Sequence, residues 1–304
     1  MSNLSIPFVS VIIPVFNDSA RLKSCLQALE AQTYPQDSYE VIVIDNNSTE
    51  NIGAIVTEFK QVKFDFETKP GSYAARNKGI FVAKGDILAF TDSDCLPNFN
   101  WIEEGVRCLL FTDNCGLVGG TIKFYFKDRE NPTAAELYDS HNSLQQQNYI
   151  EEKKYAATAN MFTFKHIVEK IGLFDSDLKS GGDREWGTRV FDAGYKLLYS
   201  EDAIVKHPAR SFHNLASKVV RITEGHFILQ KQFKIPIFSF LKELYLDFKP
   251  SMRFVIETIS NKHIGSIYQR TMYICVYSYL RFVRALKKAI MYCQYKFFLQ
   301  KIGV

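Results

Sequence analysis

The first hundred residues alternate between short apolar runs and segments with helical periodicity. The run Val9–Phe16 (VSVIIPVF) is almost continuously apolar and rich in β-branched residues, as expected of a strand buried on both faces of a parallel sheet. The next segment repeats apolar residues at helical spacing, which predicts a helix capped by Asp18 or Ser19. Its apolar stripe consists of Leu22, Cys25, Leu26 and Leu29.

The strand and helix pattern then repeats. Val41–Ile44 predicts a second buried strand that ends in Asp45, and a helical stripe follows it. A short strand at 62–66, a helix through Arg76 and a strand in DILAFT come next. This alternation predicts an α/β fold with a Rossmann-like, mostly parallel sheet flanked by helices.

Acidic residues stand where the predicted strands end. In open α/β sheets, ligands bind beyond the carboxyl ends of the strands, and Asp45 and Asp92 both lie there. The first turn after a strand, PVFNDSA, contains no glycine, and the chain has no GxxxxGK[ST] sequence. These absences disfavour a dinucleotide-binding Rossmann domain and a P-loop enzyme.

Asp92 and Asp94 form a pair of carboxylates in the stretch AFTDSDCLP. Neighbouring carboxylates repel each other unless a cation or hydrogen-bond donors compensate them. Oxygen ligands of this kind suit Mg²⁺ or Mn²⁺, whose coordination shell substrate phosphates can complete. The alternative is a surface turn in which the two aspartates are solvated or cap a helix.

Two later segments carry further candidate residues. In KSGGDREWGTRVF, Asp183 and Glu185 fall in the first turn of a predicted helix, where acidic residues also serve as caps. His207 follows the strand-like stretch AIVK, and a neutral imidazole there suits Mn²⁺ better than Mg²⁺. A structural role is the alternative for His207.

Beyond residue 210 the chain changes in composition. Residues 210–304 carry 16 Lys/Arg against 4 Asp/Glu, whereas the whole chain has a net charge of only +4. Pro236 and Pro250 divide the segment into predicted helices, and the last one has an apolar stripe beside basic residues. Such a helix either lies on an anionic membrane or packs against the rest of the protein or a second subunit. Its apolar stripe consists of Tyr279, Phe282, Val283, Leu286, Ile290, Cys293 and Phe297.

Composition further restricts the class of protein and its cellular location. The six cysteines form no CxxC pair or zinc-type cluster, so reduced thiols in the cytoplasm are expected. The first residues lack a basic start, and no stretch approaches the roughly 20 apolar residues of a membrane span, so we expect no secretory signal and no transmembrane helix. A cytoplasmic protein, peripheral at the inner face of the plasma membrane if its tail binds lipid, is the resulting prediction. No nucleic-acid-binding pattern is present.

Taken in order, the segments PVFND, VIDNNS, AARNKG, FTDSD, GGDREWG and VKH resemble the motifs of glycosyltransferase family 2. Members of this family are inverting enzymes with the nucleotide-sugar-binding GT-A fold. The resemblance covers residues 8 to about 210. It implies a catalytic domain over 1–210, with donor binding in about 1–97 and acceptor binding in about 98–210, followed by a helical extension over 211–304.

The resemblance also implies roles for individual residues. The end of the first strand (Pro14, Val15 and Asn17) and Asp45 would hold the nucleoside of the donor. Arg76 would lie near the diphosphate. Asp92 and Asp94, with Ser93 between them, fall on the Asp-x-Asp motif of the family, the first near the ribose and the second on the metal. His207 would complete metal or diphosphate binding.

On the acceptor side, Asp183 falls on the aspartate of the Glu-Asp motif and would be the general base. The preceding residue is Gly182 rather than glutamate, which leaves Glu185 as a rival for the base. Trp186 would form part of an acceptor-sugar platform, with core packing as its alternative, and Asn160 would contact the acceptor. The segment NSLQQQNYIEEKKY is either a lid over the acceptor or a polar surface helix and loop.

The resulting prediction is a hexosyltransferase that depends on Mn²⁺ or Mg²⁺. It would transfer a sugar from a UDP-sugar to a glycan or lipid-linked acceptor by a single displacement, in cell-envelope polysaccharide biosynthesis. One alternative is a nucleotidyltransferase-like enzyme, which would carry a glycine-rich basic loop after the first strand. The other is a non-catalytic sugar-binding or scaffold protein of the same fold, which would tolerate loss of Asp92, Asp94 or Asp183.

Overall fold

The sheet at the centre of the fold contains eight strands in a computed structural model that describes residues 6–231, 236–249, 251–261 and 264–301. In order along the chain, the strands are β1 (Val9–Val15), β2 (Tyr39–Asp45), β3 (Val62–Phe66), β4 (Ile87–Thr91), β5 (Leu96–Pro97), β6 (Cys115–Tyr125), β7 (Asn160–Phe164) and β8 (Lys196–Pro208). Their spatial order is β3-β2-β1-β4-β7-β6-β8-β5.

Helices connect the strands, and four of those within the described ranges follow β8. They are α1 (Ser19–Glu30), α2 (Ile52–Val56), α3 (Ser72–Val82), α4 (Trp101–Leu110), α5 (Ala134–Asn142), α6 (Gln146–Glu151), α7 (Lys165–Ile171), α8 (Gly182–Asp192), α9 (Phe212–Lys231), α10 (Ile237–Phe248), α11 (Met252–Ser260) and α12 (Ile267–Lys301). Pro250, one of the two predicted helix breaks, lies outside the described residues. Among the helices that the structure describes, none combines the length and apolarity that a membrane crossing requires.

The predicted α/β architecture is confirmed, and among the described residues four of the seven strand pairings of the mixed sheet are parallel, including that of β6 with β8. Strands β3, β2, β1 and β4 run parallel to one another, whereas β7 pairs antiparallel with both β4 and β6. The predicted helix stripe Leu22–Leu29 is buried on α1. The apolar stripe predicted after β2 runs from Ile52 to Phe59. The helix α2 is shorter and ends at Val56, although Phe59 beyond it is also buried.

Strand β1 is buried on both faces because helices cover both sides of the sheet. Val9, Val11 and Ile13 belong to the core cluster that includes the buried stripe of α1. On the opposite face, Ile12 lies so close to Gly79 of α3 that a Cβ there would come within 2.5 Å of it. This double burial explains why the sequence of β1 is continuously apolar instead of alternating.

The chain divides into two compact units. The first contains the residues up to Tyr125 together with Leu144–Leu178 and Gly182–Pro208, and it holds the whole sheet. The second contains Phe126–Ser143, Lys179–Gly181 and the chain from Ala209 onward. The predicted division at residue 210 differs from this one, because α5 belongs to the second unit although it precedes β7 in the sequence.

Candidate active site

The carboxyl ends of three parallel strands meet at one edge of the sheet. Val15, the last residue of β1, is the register partner of Asp45, the last residue of β2. Strand β4 lies on the other side of β1 and ends at Thr91, so that Asp92 follows directly at the same edge. Pro14 and Val15 are both buried here. The fold therefore gathers the residues predicted to bind a donor nucleotide.

Asp45 and Asn17 shape the loop that follows β2. The Oδ1 of Asp45 accepts a hydrogen bond from the backbone N–H of Ser48 at 3.0 Å. The Oδ1 of Asn17, a residue with a positive φ of 49°, accepts one from the N–H of Thr49 at 2.7 Å. Asp45 is buried, whereas Asn17 is exposed. Both side chains thus fix the local backbone, and Asn17 remains accessible from outside.

Arg76 is held in the site by Asp92. It lies on α3, its side chain is almost completely buried, and its Nη2 donates to Oδ1 of Asp92 at 2.5 Å. The buried Nε of Arg76 finds no hydrogen-bond acceptor among the described residues. A buried guanidinium with an unused donor carries a desolvation cost that an incoming anion can offset.

His207 faces Asp94, with Nε2 and Oδ2 at 3.7 Å. The Nδ1 of His207 lies 2.7 Å from the backbone carbonyl of Pro208, which can only accept, so we place the ring proton on Nδ1. In the neutral ring Nε2 then carries a lone pair and lies 3.7 Å from a carboxylate oxygen of Asp94. Two acceptors in this arrangement require a proton or a cation between them.

The donor set here fits a divalent metal. Metal-binding histidines commonly donate their second ring N–H to a backbone carbonyl, as His207 does to Pro208. Within the described parts of the chain, no three His, Cys, Asp or Glu side chains are gathered as a ligand set. Asp94 and His207 would therefore supply two ligands and leave further positions to Asp92, substrate phosphates or water, as is usual for Mg²⁺.

Asp18 and Arg21 extend the cluster, and the sequence did not single them out as site residues. Asp18 is the N-cap residue of α1, one of the two predicted positions, but its side chain makes no capping hydrogen bond. It accepts instead from Nε of Arg21 at 2.6 Å and from the hydroxyl of buried Ser93 at 2.9 Å. Burial raises the pKa of Asp18, against the effect of these hydrogen bonds. Nη1 of Arg21 also lies 3.8 Å from Asp94.

Asp183 lies in the first turn of α8, half-buried. Its Oδ1 accepts from the hydroxyl of Tyr73 at 3.2 Å and from the N–H of Arg184 at 2.9 Å. Burial raises the pKa of Asp183, although these hydrogen bonds and the charge of Arg76 act in the opposite direction. A carboxylate with a raised pKa is a stronger base than a solvated one.

Glu185, the rival candidate, has a different environment. Its two carboxylate oxygens accept from Nε and Nη2 of Arg189 at 2.6 and 2.9 Å. Arg189 is fixed in turn by the carbonyls of Ile171 and Leu173. This bidentate pair occupies both carboxylate oxygens of Glu185, which leaves Asp183 as the better-placed candidate for the base.

Two acceptor-side predictions do not fit the structure. Trp186 is fully buried, its Nε1 donates to the carbonyl of Gly172 at 2.8 Å, and its ring packs against Phe174. It is therefore a core residue with no face open to a sugar. Asn160 is also fully buried, and its side chain makes three hydrogen bonds with described residues, one from Trp101 and two to the carbonyls of Thr121 and Ala203. These bonds join strands and leave Asn160 none for an acceptor.

A polar cavity of about 450 Å³ lies next to α6 in the first unit. Its lining includes Thr121, Gln145, Gln147, Asn148 and Tyr199. The helix itself is anchored by buried Gln146 and Ile150, so the segment NSLQQQNYIEEKKY contains a packed helix. Amide and hydroxyl groups of this kind can hydrogen-bond sugar hydroxyls.

Comparison with known proteins identifies the family. The profile of "Glycosyl transferase family 2" matches residues 10–172. The chain belongs to glycosyltransferase family 2. It is 42% identical over 226 residues to "Glycosyltransferase AglE" of Haloferax volcanii, an alignment that covers 73% of each chain.

Other relatives of this family 2 enzyme agree with that assignment. A Methanococcus voltae protein named "Dolichyl N-acetyl-alpha-D-glucosaminyl phosphate 3-beta-D-2,3-diacetamido-2,3-dideoxy-beta-D-glucuronosyltransferase" is 25% identical over 242 residues, covering 72% of this chain and 75% of the relative. A solved mannosyltransferase from Pyrobaculum calidifontis, in complex with GDP-Man and Mn²⁺, superposes with a TM-score of 0.64. At 18% identity, and with 94% of this chain and 87% of the other covered, that match supports the fold. The predicted GT-A fold and glycosyltransferase class are confirmed.

Proposed function

We propose that this family 2 glycosyltransferase moves a sugar from a nucleotide diphosphate to a glycan or lipid-linked acceptor, with inversion at the anomeric carbon. The observation that carries the proposal is that Asp92 and Asp94 follow β4, that Arg76 of α3 pairs with Asp92, and that a partly buried carboxylate, Asp183, lies in the same compact unit. A cation-binding group beside a basic carboxylate suits a reaction in which a diphosphate leaves and a hydroxyl attacks.

On the donor side, Asp45 and Asn17 lie at the edge where the nucleoside would bind. Arg76 would offer a phosphate oxygen its Nε, which has no hydrogen-bond partner among the residues that the structure describes. Asp94 and His207, with Asp92 beside them, would hold Mn²⁺ or Mg²⁺. When bound, such a metal neutralises the charge that grows on the departing diphosphate. Arg21 adds a fixed positive charge next to Asp94.

On the acceptor side, Asp183 would remove the proton of the attacking hydroxyl. The O–H bond breaks as its oxygen bonds to the anomeric carbon, and the bond from that carbon to the phosphate oxygen breaks on the opposite face. The proton passes to Asp183 and the electron pair leaves with the nucleotide. Base catalysis of this type contributes about 10²- to 10⁴-fold.

The nucleotide of the donor and the class of acceptor are proposed from the family and its relatives. UDP is the expected nucleotide, while the solved relative is a complex with GDP-Man, so both nucleotides belong in a binding test. The name of the Methanococcus relative includes a dolichyl-linked sugar phosphate, which favours a lipid-linked acceptor here. Cell-envelope glycan synthesis at the inner face of a membrane is the matching cellular role.

Calorimetric titration tests the nucleotide site. UDP and GDP are titrated into the protein with Mn²⁺, with Mg²⁺ and with EDTA, then into Asp94→Ala and into Asp113→Ala, an exposed aspartate outside the site. We expect metal-dependent binding that Asp94→Ala abolishes and Asp113→Ala retains. Binding of equal strength in EDTA, or binding that survives Asp94→Ala, would remove the metal from the proposal.

We further propose that the second unit contacts an anionic lipid surface. Helix α12 exposes much of the apolar stripe that the sequence predicted, including Phe282, Leu286 and Ile290. Two of its basic residues, Arg284 and Lys288, pair with the buried Asp247 of α10. An exposed apolar stripe on a strongly cationic segment favours binding to an anionic membrane interface.

A further inference from the structure

The backbone at Gly182 lies against an aromatic ring. A Cβ built on Gly182 would come within 2.8, 2.9 and 3.0 Å of three atoms of the Tyr73 ring. Real Cβ atoms almost never approach so closely, so a larger residue would have to displace the ring. Gly182 immediately precedes Asp183, and this glycine is where the sequence departs from the Glu-Asp pattern. The missing side chain therefore makes room for Tyr73 beside the carboxylate.

Tyr73 is fixed in that place from several sides. It lies on α3, is 6% exposed, and its ring packs against Phe174 with centroids 5.8 Å apart. The guanidinium carbon of Arg76 lies 5.6 Å from the ring centroid. Its hydroxyl donates to Oδ1 of Asp183 at 3.2 Å, across 110 residues of sequence. A tyrosine held this rigidly presents its hydroxyl in one position.

The two hydrogen bonds to Asp183 both end on the same carboxylate oxygen. Within the described part of the chain, the hydroxyl of Tyr73 and the N–H of Arg184 both donate to Oδ1. Oδ2 accepts neither of them and is the oxygen with lone pairs available. A general base must have a free oxygen aimed at the proton that it removes, and anchoring the other oxygen restricts the rotation of the carboxylate.

We propose that Tyr73 is a positioning residue for catalysis: its hydroxyl holds Oδ1 of Asp183 so that Oδ2 takes the proton of the acceptor. The proposal rests on the proposed function, because it assumes that Asp183 is the base. It assigns to Tyr73 a role in orientation and in the basicity of Asp183, and it places no atom of Tyr73 on the substrate.

The groups around Asp183 determine what loss of the hydroxyl would do. Tyr73 and Arg76 face it from α3, and Asp92 acts on it from the end of β4. Burial, together with the charge of Asp183, raises the pKa of Tyr149 on α6 and of Tyr155 in the segment after it. Burial raises the pKa of Asp183, whereas the Arg184 N–H, Arg76 and Tyr73 lower it. Removing the Tyr73 hydroxyl should therefore raise this pKa further.

The test measures that titration without any substrate. Protein labelled with ¹³C at the aspartate side-chain carboxyls is titrated by NMR, and the Asp183 resonance is assigned by its loss in Asp183→Asn. We expect Tyr73→Phe to move the midpoint upward by about one pH unit, the scale of one hydrogen bond to a charged group. The matched control is Tyr34→Phe, which also removes a hydroxyl from a 6% exposed tyrosine, here one bonded to the Pro7 carbonyl at 2.6 Å.

A second variant breaks the contact without altering either partner. Gly182→Ala should displace the Tyr73 ring and move the Asp183 midpoint in the same direction. Unchanged midpoints in folded Tyr73→Phe and Gly182→Ala would overturn the proposal. So would a midpoint in Tyr34→Phe that moves as far as in Tyr73→Phe.

Turnover distinguishes this inference from the proposed function. Hydrolysis of UDP-glucose and GDP-mannose, with water as acceptor, is followed against pH. Tyr73→Phe should lower the rate about tenfold and shift its acid limb to higher pH, with donor binding retained. If Asp183→Asn keeps the wild-type rate, the base assignment fails and Tyr73 loses its role with it. If Asp183→Asn is inactive while Tyr73→Phe keeps the wild-type rate and acid limb, only the role of Tyr73 fails.

Discussion

At the scale of single residues, two carboxylates on the first turn of α8 differ through their partners. Asp183 is partly buried and accepts from a hydroxyl and a backbone N–H. Glu185 forms a bidentate pair with Arg189. The structure therefore separates two acidic residues that the sequence left as rivals.

We expect Asp183→Asn to lower turnover by about 10²- to 10⁴-fold while donor affinity stays the same, because an amide cannot accept the acceptor's proton. Glu185→Gln should retain turnover, since its carboxylate is already committed to Arg189. The measurement is the release of nucleotide by each variant, together with calorimetric donor affinity. The reverse ranking of the two variants would make Glu185 the base.

Glu40 provides a stability test at the same scale. This buried carboxylate accepts from the Ser10 hydroxyl, the Lys84 N–H and Lys63. Burial alone would raise its pKa, but these donors outweigh burial and lower the pKa below the ordinary glutamate value of 4.5. The anion is thus favoured in the folded state. Its contribution to stability is full above about pH 5 and is lost as the pH falls through the lowered pKa.

Glu40→Gln should accordingly lower the free energy of unfolding by about 1–3 kcal/mol at pH 7. The difference from wild type should shrink on acidification, as urea unfolding at several pH values would measure. Glu58→Gln is the control, because Glu58 is exposed and pairs only at the surface with Lys23. An equal loss in both variants, independent of pH, would contradict the explanation.

At the scale of elements, β6 and β8 approach closely where their register shifts between Gly120 and Ile122. A Cβ on Gly120 would lie 2.1 Å from the backbone oxygen of Ala203 and 2.5 Å from Asn160. Backbone atoms in the middle of a sheet cannot move aside as a flexible side chain can. Glycine is therefore required at this point for the two strands to pair.

Gly120→Ala should destabilise the protein by about 2 kcal/mol or more, because a sheet contact must open to admit the methyl group. Gly53→Ala is the matched control. Its Cβ would meet Phe64 at an ordinary 3.4 Å, and alanine favours the helix α2 by about 0.5–1 kcal/mol. Thermal unfolding of both variants measures the difference, and equal melting temperatures would show that the strands can adjust.

At the scale of the whole molecule, charge and exposed apolar surface coincide in one stretch of sequence. Residues 210–304 have 16 Lys/Arg and 4 Asp/Glu. The helices α10, α11 and α12 within it expose large apolar side chains such as Phe238, Met252 and Tyr268. Single exposed apolar residues are ordinary, but a concentration of them on basic helices favours an interface with anionic lipid.

Flotation with vesicles tests the lipid contact. We expect the full chain to float with vesicles containing anionic lipid, less so at high salt and weakly with neutral vesicles. Phe238→Ser, which alters a side chain 84% exposed on α10, should weaken binding about tenfold. Phe81→Ser alters one 83% exposed on α3 and should have no effect. Equal flotation of all three proteins would exclude α10 from the contact.

Much of the first unit could be predicted from periodicity because burial leaves a local signal. Strand β1 appeared as a continuous apolar run and α1 as a stripe, and both lie where their patterns placed them. Within an element, the residue type did not show whether a side chain faces the core or the acceptor. Trp186 and Asn160 resembled acceptor contacts, yet α8 and β7 turn them into the core, because the pattern does not say which neighbour covers each face.

The sequence by itself determined the strand and helix order, the absence of glycine-rich phosphate loops, and the Asp92–Asp94 pair that carries the family resemblance, because each depends on residues close together in the chain. Tertiary structure alone decided which side chains meet. Tyr73 donates a hydrogen bond to Asp183, and Ser93 donates one to Asp18. Asp94 lies close to His207 and Arg21. These contacts join residues brought together by the packing of helices on the sheet. Their hydrogen bonds and pKa shifts depend on burial that no local pattern encodes.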